Sequence, residues 1–242
     1  MEFQSPLFAG KILKRYKRFL ADIELSDGQR ITAHTSNTGS MKTCWDVGWK
    51  VLVSYHNSPK RKLKYSLEMT HNGDTWIGVN TSLPNRLAKE AIENQLIPEF
   101  QGYDNVQAEK KIGDSRIDLY LSGKKKGKAL EECYIEIKNV TLLAEKRAAL
   151  FPDAVSTRGQ KHLKELIQLK KRGVRAAMLY IVQRQDVDHF RPAWDIDPTY
   201  AELVQQAKEV GVEILAYQCE LSPKGVKLKR PLPCFIESTS QL

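Results

Sequence analysis

Two short stretches, SRIDLYL at residues 115–121 and CYIEIK at residues 133–138, decide how this chain reads. Both alternate apolar and polar residues, the period-two pattern of a strand with one buried face. In the second, Tyr134, Glu136 and Lys138 share one face, and Cys133, Ile135 and Ile137 take the other. In the first, Ile117, Leu119 and Leu121 form the apolar face, which turns Asp118 the opposite way. If the strands pair, two carboxylates and one ammonium converge. Such a group can hold a divalent cation against a phosphate. The same spacing also fits a solvated strand face on which Asp118 pairs with a neighbouring Lys or Arg, and spacing alone favours that reading.

Working outward, SLPNRLAKEAIENQLIPEF (82–100) opens on Ser and Pro and repeats Leu87, Ala88, Ala91 and Ile92 at helical spacing. VQAEKKI (106–112), SRIDLYL and YIEIKNV read as strands, with the charged loop SGKKKGKALEE (122–132) between the last two. RGQKHLKELIQLKKRG (158–173) is an amphipathic helix with Leu163, Leu166 and Ile167 inward, stopped by Gly173. AAMLYIVQR (176–184) has the continuous apolar run of a central strand. Tyr200, Leu203, Val204 and Ala207 mark a further helix closed by Gly211, and VEILAYQCEL (212–221) returns as a strand. The order α-β-β-β-α-β-α-β predicts a mixed α/β domain over 82–238.

The first 81 residues read differently. Strand-like stretches at 11–25, 29–35, 50–56, 63–69 and 75–80 are separated by turn signals at Asp27-Gly28, Asn57 to Pro59 and Asn72-Gly73. Five short strands suggest a small closed barrel. The OB-fold is the common basic version, and an SH3-like barrel gives a similar pattern.

Composition narrows the partners. With 41% hydrophobic and 28% charged residues the chain is globular, and no apolar run approaches membrane-spanning length. The N-terminal sequence lacks a secretory layout, and four scattered cysteines show no metal-binding spacing. A cytoplasmic protein with reduced thiols is expected. A net charge of +9 favours polyanions, and nucleic acid is the commonest. The excess is densest in residues 1–80, where 12 Lys/Arg face 7 Asp/Glu.

On these residues a metal-assisted phosphodiester site would place Mg²⁺ or Mn²⁺ on Asp118 and Glu136, with the Ile137 carbonyl as a third ligand. Lys138 would orient water or neutralise phosphate, and Glu90 would complete the shell from the first helix. Basic residues flanking aromatics, Lys14, Arg15 and Arg18 around Tyr16 and Lys60, Arg61, Lys62 and Lys64 before Tyr65, are candidates for nucleic-acid contact, with DNA or RNA as partner. Trp76 reads as core rather than platform. FPDAVSTRGQKHL (151–163) gathers Asp153, Thr157, Arg158, Lys161 and His162 at a helix start, where Arg158 can clamp a phosphate or Thr157 can simply cap. The Asn37–Ser40 loop and His34 read as structural. Lys124, Lys125, Lys126 and Lys128 add nonspecific attraction or nothing.

The order Glu90, Asp118, Glu136-Ile137-Lys138 and Lys161 resembles the PD-(D/E)XK nuclease superfamily, although Ile117 stands where the motif has Pro. A closer resemblance covers nearly the whole chain. RFLADIELSDGQRITAHTSNTGSMKTC (18–44), NSPKRKLKYSLEM (57–69), WIGVNTSLPNRLAKEAI (76–92), FPDAVSTRGQKHL and VQRQDVDHFRPAWDIDPTYA (182–201) look like the bacterial sugar fermentation stimulation protein family. Thr43 and Val47 depart from it, standing where similar proteins more often carry Gly and Pro. The resemblance implies an N-terminal OB-like barrel joined to a PD-(D/E)XK nuclease-like domain. It also implies DNA binding without sequence specificity and a regulatory part in maltose metabolism. It leaves open whether the nuclease-type site acts, or whether the fold is a silent scaffold or an RNA-processing enzyme.

Overall fold

A computed structural model of the protein describes residues 1–112, 115–125 and 128–238, so Lys126 lies outside the described residues. The N-terminal unit contains β1 (Phe8–Tyr16), β2 (Leu20–Leu25), β3 (Arg30–His34), β4 (Lys50–Tyr55), β5 (Tyr65–His71) and β6 (Trp76–Gly78). Their order is β3-β2-β1-β4-β5-β6, and a parallel contact between β3 and β5 closes five of them into a barrel. Ile12, Ala21, Ile23, Val51, Val53 and Leu67 fill it. The stretch 11–25, expected as one strand, is a hairpin that turns at Lys17 and Arg18. Both residues hold positive φ, 49° and 66°, in a three-residue loop between the paired Tyr16 and Leu20. The usual Asn-Gly signal is missing, and the Arg15 guanidinium instead braces the turn by donating to the Arg18 carbonyl at 2.6 Å.

Beyond the barrel come α1 (Leu83–Glu93), β7 (Asn105–Ile112) and β8 (Ser115–Ser122), then the short β9 (Lys124–Lys125) and β10 (Lys128–Ala129). They are followed by β11 (Cys133–Val140), β12 (Leu142–Leu143), β13 (Ala148–Phe151), α2 (Thr157–Lys171), β14 (Arg175–Val182) and β15 (His189–Pro192). The last elements are α3 (Pro198–Glu209), β16 (Glu213–Ser222) and β17 (Gly225–Leu232). The main sheet runs β17-β16-β14-β11-β8-β7. Its centre, β11-β14-β16, is parallel, and antiparallel strands flank it on both sides. The expected α/β domain is present, with β14 central. The expectation omitted β12, β13, β15 and β17. Three of these are only two to four residues long, and β17 alternates lysines with few buried residues, so it lacks a strand's apolar signal.

Two apolar layers sandwich this sheet. Leu87, Ala88, Ala91 and Ile92 of α1 pack with Cys133, Ile135 and Ile137, and barrel residues Leu52 and Met69 join the same cluster. Leu163, Leu166 and Ile167 of α2 pack with Tyr200 and Val204 of α3 against Met178, Tyr180 and Val182. The helices are tied by Asp197, which caps α3 by accepting from Tyr200 N at 3.0 Å and also accepts from Ser156 N at 2.8 Å. Ser156, not Thr157, caps α2, accepting from Gly159 N. A Cβ at Gly159 would stand 3.0 Å from Tyr200, so a glycine lets α2 lie close against α3.

The barrel and the α/β domain are joined by a buried ion pair as well as by their shared core. Arg184, fully buried, donates Nε and Nη2 to Asp186 at 2.7 Å each and Nη1 to the Thr141 carbonyl at 2.6 Å and the Thr43 hydroxyl at 3.1 Å. Asn72 of the barrel donates to Asp186 at 3.0 Å. Thr43 holds φ 61°, a conformation that favours glycine, and its hydroxyl also accepts from Leu143 N.

Candidate active site

The β8–β11 ladder covers only Leu121, Tyr120 and Leu119 against Cys133, Tyr134 and Ile135. Beyond Leu119 the strands separate, which would leave Ile137 N–H unpaired. Asp118 fills that gap, its Oδ2 accepting from Ile137 N at 2.8 Å. The separation is also where β8 changes layers. Leu119 and Leu121 pack under α1, whereas Ile117 packs in the cluster under α2 and α3, so the three do not share the single apolar face that alternation predicts. Opposite Asp118, β7 is distorted as well, with Glu109 at φ 54°. On β11 alternation holds: Cys133, Ile135 and Ile137 lie in the α1 layer, and Tyr134 packs against the other.

Glu136, 2% exposed, lies beneath α2. Its Oε1 accepts from Lys138 Nζ at 2.6 Å and meets His162 Nδ1 in a very short contact. Lys138 Nζ is also 3.1 Å from His162 Nδ1. That nitrogen either donates to Glu136 or accepts from Lys138, so one proton arrangement serves the trio at a time. Glu136 Oε2 is buried and has no hydrogen-bond partner among the described residues. Burial pushes Glu136 up, but hydrogen bonds from His162 and Lys138 outweigh it and hold the carboxyl below its usual range. Asp118 shifts oppositely: burial, and next the neighbouring charge of Glu136, raise its carboxyl above the ordinary value. Two carboxylates thus press on one another around an acceptor that nothing satisfies.

The expected residues divide. Asp118, Glu136 and Lys138 come together. Glu90 does not join them, because it is 44% exposed on α1 and binds the Met1 amine at 2.7 Å. The α1 residue that reaches the site is Asn85, donating to Asp118 Oδ1 at 2.8 Å. Lys161 also falls outside, exposed and 3.6 Å from Glu165 one turn on, and its neighbour His162 occupies the inward position instead. Both replacements had a sequence signal. His162 lies four residues before Leu166 and beside Leu163 on the buried stripe of α2, and Asn85 stands in the first turn of α1, next to the sheet edge.

Among the basic candidates, Lys14, Arg18, Lys60, Lys62, Lys64 and Arg158 are exposed, and none forms an ion pair among the described residues. Lys14 lies 5.5 Å from the centre of the Tyr16 ring. Arg61 is half-buried and donates to Ser66 at 2.9 Å. Arg15 is turned inward, its guanidinium donating to the carbonyls of Arg18, Asn37 and Gly39, which commits it to the barrel rather than to a ligand. Trp76 is half-buried against the α1 cluster, and the thiols of Cys44, Cys133, Cys219 and Cys234 are all free.

The sequence model described as "SfsA N-terminal OB domain" matches residues 13–79, and the one described as "Sugar fermentation stimulation protein RE domain" matches residues 82–225. The chain belongs to the sugar fermentation stimulation protein family. It is 48% identical to the family homolog of Geotalea uraniireducens over 94% of this chain and 96% of that one. It is 49% identical to the homolog of Citrifermentans bemidjiense over 98% of this chain and 100% of that one. Among solved structures, that of Pyrococcus furiosus SfsA in complex with Ca²⁺ superposes with a TM-score of 0.84 at 31% identity, covering 97% of this chain and 98% of that one. The family fold is therefore an OB-like barrel followed by an α/β domain. No helix among the described residues is long and apolar enough to cross a membrane.

Proposed function

We propose that this protein binds nucleic acid, DNA first, and that Asp118 and Glu136 hold a divalent cation for phosphodiester chemistry. The orphaned Oε2 of Glu136 carries this reading. A buried carboxylate oxygen with no donor is costly, and a cation beside Asp118 would satisfy it and relieve the repulsion between the two carboxylates. Among the described residues no three His, Cys, Asp or Glu side chains gather as a closed metal cage. Two carboxylates, with the Ile137 carbonyl as a third candidate, suit Mg²⁺ or Mn²⁺, which keep open positions for water and phosphate oxygens. The solved Pyrococcus furiosus relative is in complex with Ca²⁺, another oxygen-seeking ion, which supports a cation reading.

When bound, such an ion neutralises phosphate charge and lowers the pKa of a bound water. The chain's own residues do the rest. Lys138 supplies positive charge beside Glu136, and His162 Nδ1 lies within reach of both, donating to Glu136 or accepting from Lys138. Asn85 and Ile137 N–H hold the Asp118 carboxylate in place. The exposed Lys60, Lys62, Lys64, Arg18 and Arg158 would neutralise backbone phosphates without reading sequence.

Purified protein, Asp118→Ala and Glu136→Ala should be incubated with DNA and RNA substrates and Mg²⁺ or Mn²⁺, alongside calorimetric titration with Ca²⁺. The expected result is cleavage and cation binding by the wild type and loss of both in each variant. Cleavage by the variants equal to wild type would reject the site. Cation binding with no cleavage of any substrate would make the protein a catalytically silent binder, and cleavage confined to RNA would make it an RNA-processing nuclease.

A further inference from the structure

A cleft of about 250 Å³ opens where the barrel meets the α/β domain. That is below the roughly 300–1,000 Å³ of a site for a drug-sized ligand, and it suits a single flat ring system. Leu142, Leu150 and Phe151 give it apolar walls. Its polar edge comes from the barrel loop at Asn37, from Asn139 on β11, and from Asp153 beyond β13.

These groups are fixed yet unsatisfied. Asn37 is 7% exposed, and its Oδ1 is used in accepting from Gly39 N at 2.9 Å. Its Nδ2 has no partner among the described residues. That leaves an amide donor at the edge of the cleft, free for a ligand acceptor. Half-buried Asn139 likewise has its Oδ1 accepting from Gln183 at 2.7 Å, with its amide N–H groups unpaired among the described residues. Opposite, Asp153 Oδ2 is held by Ser40 N at 3.1 Å and Ser40 Oγ at 3.0 Å, and Oδ1 stays uncommitted. A Cβ on Gly39 would stand 2.7 Å from Asp153, so the loop is pressed against that wall and the opening is set by the fold.

The chemistry selects the ligand. A phosphate is a poor fit, because no Lys or Arg lines the cleft and a carboxylate does. Amide donors beside a carboxylate acceptor, between apolar walls, match the edge and faces of a nucleobase. An exocyclic amine would donate to Asp153 Oδ1, and a ring nitrogen or carbonyl would accept from Asn37 or Asn139. Asn139 directly follows Lys138 on β11, so the cleft and the carboxylate site share that strand on its two opposite faces. We infer that this cleft receives one unpaired, amine-bearing nucleobase of the bound strand. The inference rests on the nucleic-acid reading above and adds to it that the substrate presents a base outside the duplex.

Deoxycytidine monophosphate, thymidine monophosphate and ribose 5-phosphate should be titrated calorimetrically into the full-length protein with a chelator present. The same titrations apply to Asn37→Asp, which keeps the acceptor for Gly39 N–H but removes the donor, and to Asp153→Asn. Thermal melting of both variants would check folding. Deoxycytidine monophosphate should bind, thymidine monophosphate should bind about tenfold more weakly, and ribose 5-phosphate should not bind. Each variant should lose about tenfold or more for the cytosine nucleotide. Ribose 5-phosphate binding as well as the nucleotides, no nucleotide binding at millimolar concentration, or folded variants equal to wild type would overturn the inference. A Ca²⁺ titration of the same protein after removal of the chelator separates the two readings. Cation binding without base binding rejects only the cleft, and base binding without cation binding rejects only the metal site.

Discussion

Two aspartates in this molecule, Asp186 buried and Asp118 half-buried, sit within clusters of charge, and they behave in opposite ways. Asp186 is gripped at both oxygens by Arg184 and touched by Asn72, and although burial pushes it up, the Arg184 hydrogen bonds and charge hold its carboxyl below the usual range. Burial, and next the charge of Glu136, raise the Asp118 carboxyl. The Arg184 cluster is closed and joins the two domains. The Asp118–Glu136 cluster ends in an acceptor with no donor. A saturated buried charge network locks structure, while an unsaturated one points to a ligand.

The sharpest break of the first half is Arg184→Ala. It leaves Asp186 buried without its cation and removes the link to Thr43 and Thr141, so stability should fall by about 3–5 kcal/mol in urea unfolding. A fall under about 1 kcal/mol would mean the domains are held by their shared apolar core alone. For the open cluster, His162→Ala should cost about 10–100-fold in cation affinity or cleavage, because His162 positions Glu136 and Lys138 rather than touching substrate. An unchanged Ca²⁺ titration would remove His162 from the site.

The pH dependence of the two aspartates should diverge. Asp186 titrates below its unfolded value near 3.8. Its contribution is therefore present above that value and is lost as pH falls through the folded one. Asp118 titrates above 3.8, so its contribution is complete below that value and is lost as pH rises through the folded one. In chelator, Asp118→Asn should accordingly raise the thermal midpoint at neutral pH, with the gain fading on acidification. Asp186→Asn should lower the neutral midpoint. Matching pH profiles for the two variants would break the contrast. The smallest effect belongs to the exposed cations. Reversing Lys60, Lys62 and Lys64 should weaken binding to all sequences alike and flatten the salt dependence by a slope of about 0.9 for each phosphate no longer neutralised. A salt-insensitive affinity would count against electrostatic binding.

Much of this was legible in the chain. Alternation in CYIEIK placed Glu136 and Lys138 together on one face, since the strand period is a local property of the backbone. The apolar stripes of α1 and α2 and the central run of β14 were equally local. Arg15 shows where this stops. Its place beside Tyr16 reads as a ligand contact, yet the carbonyls of Asn37 and Gly39, distant in sequence, draw it inward.

What the sequence determined by itself was the pair of strands, their carboxylates and the two-domain order, all set by short-range periodicity and turn chemistry. Only the tertiary structure decided which helix residues reach those carboxylates. Glu90 and Asn85, or Lys161 and His162, differ by a rotation about a helix axis, and that rotation is fixed by which apolar stripe meets the sheet. The split between β8 and β11, which leaves Ile137 N–H for Asp118, likewise arises only once both strands are paired with other neighbours.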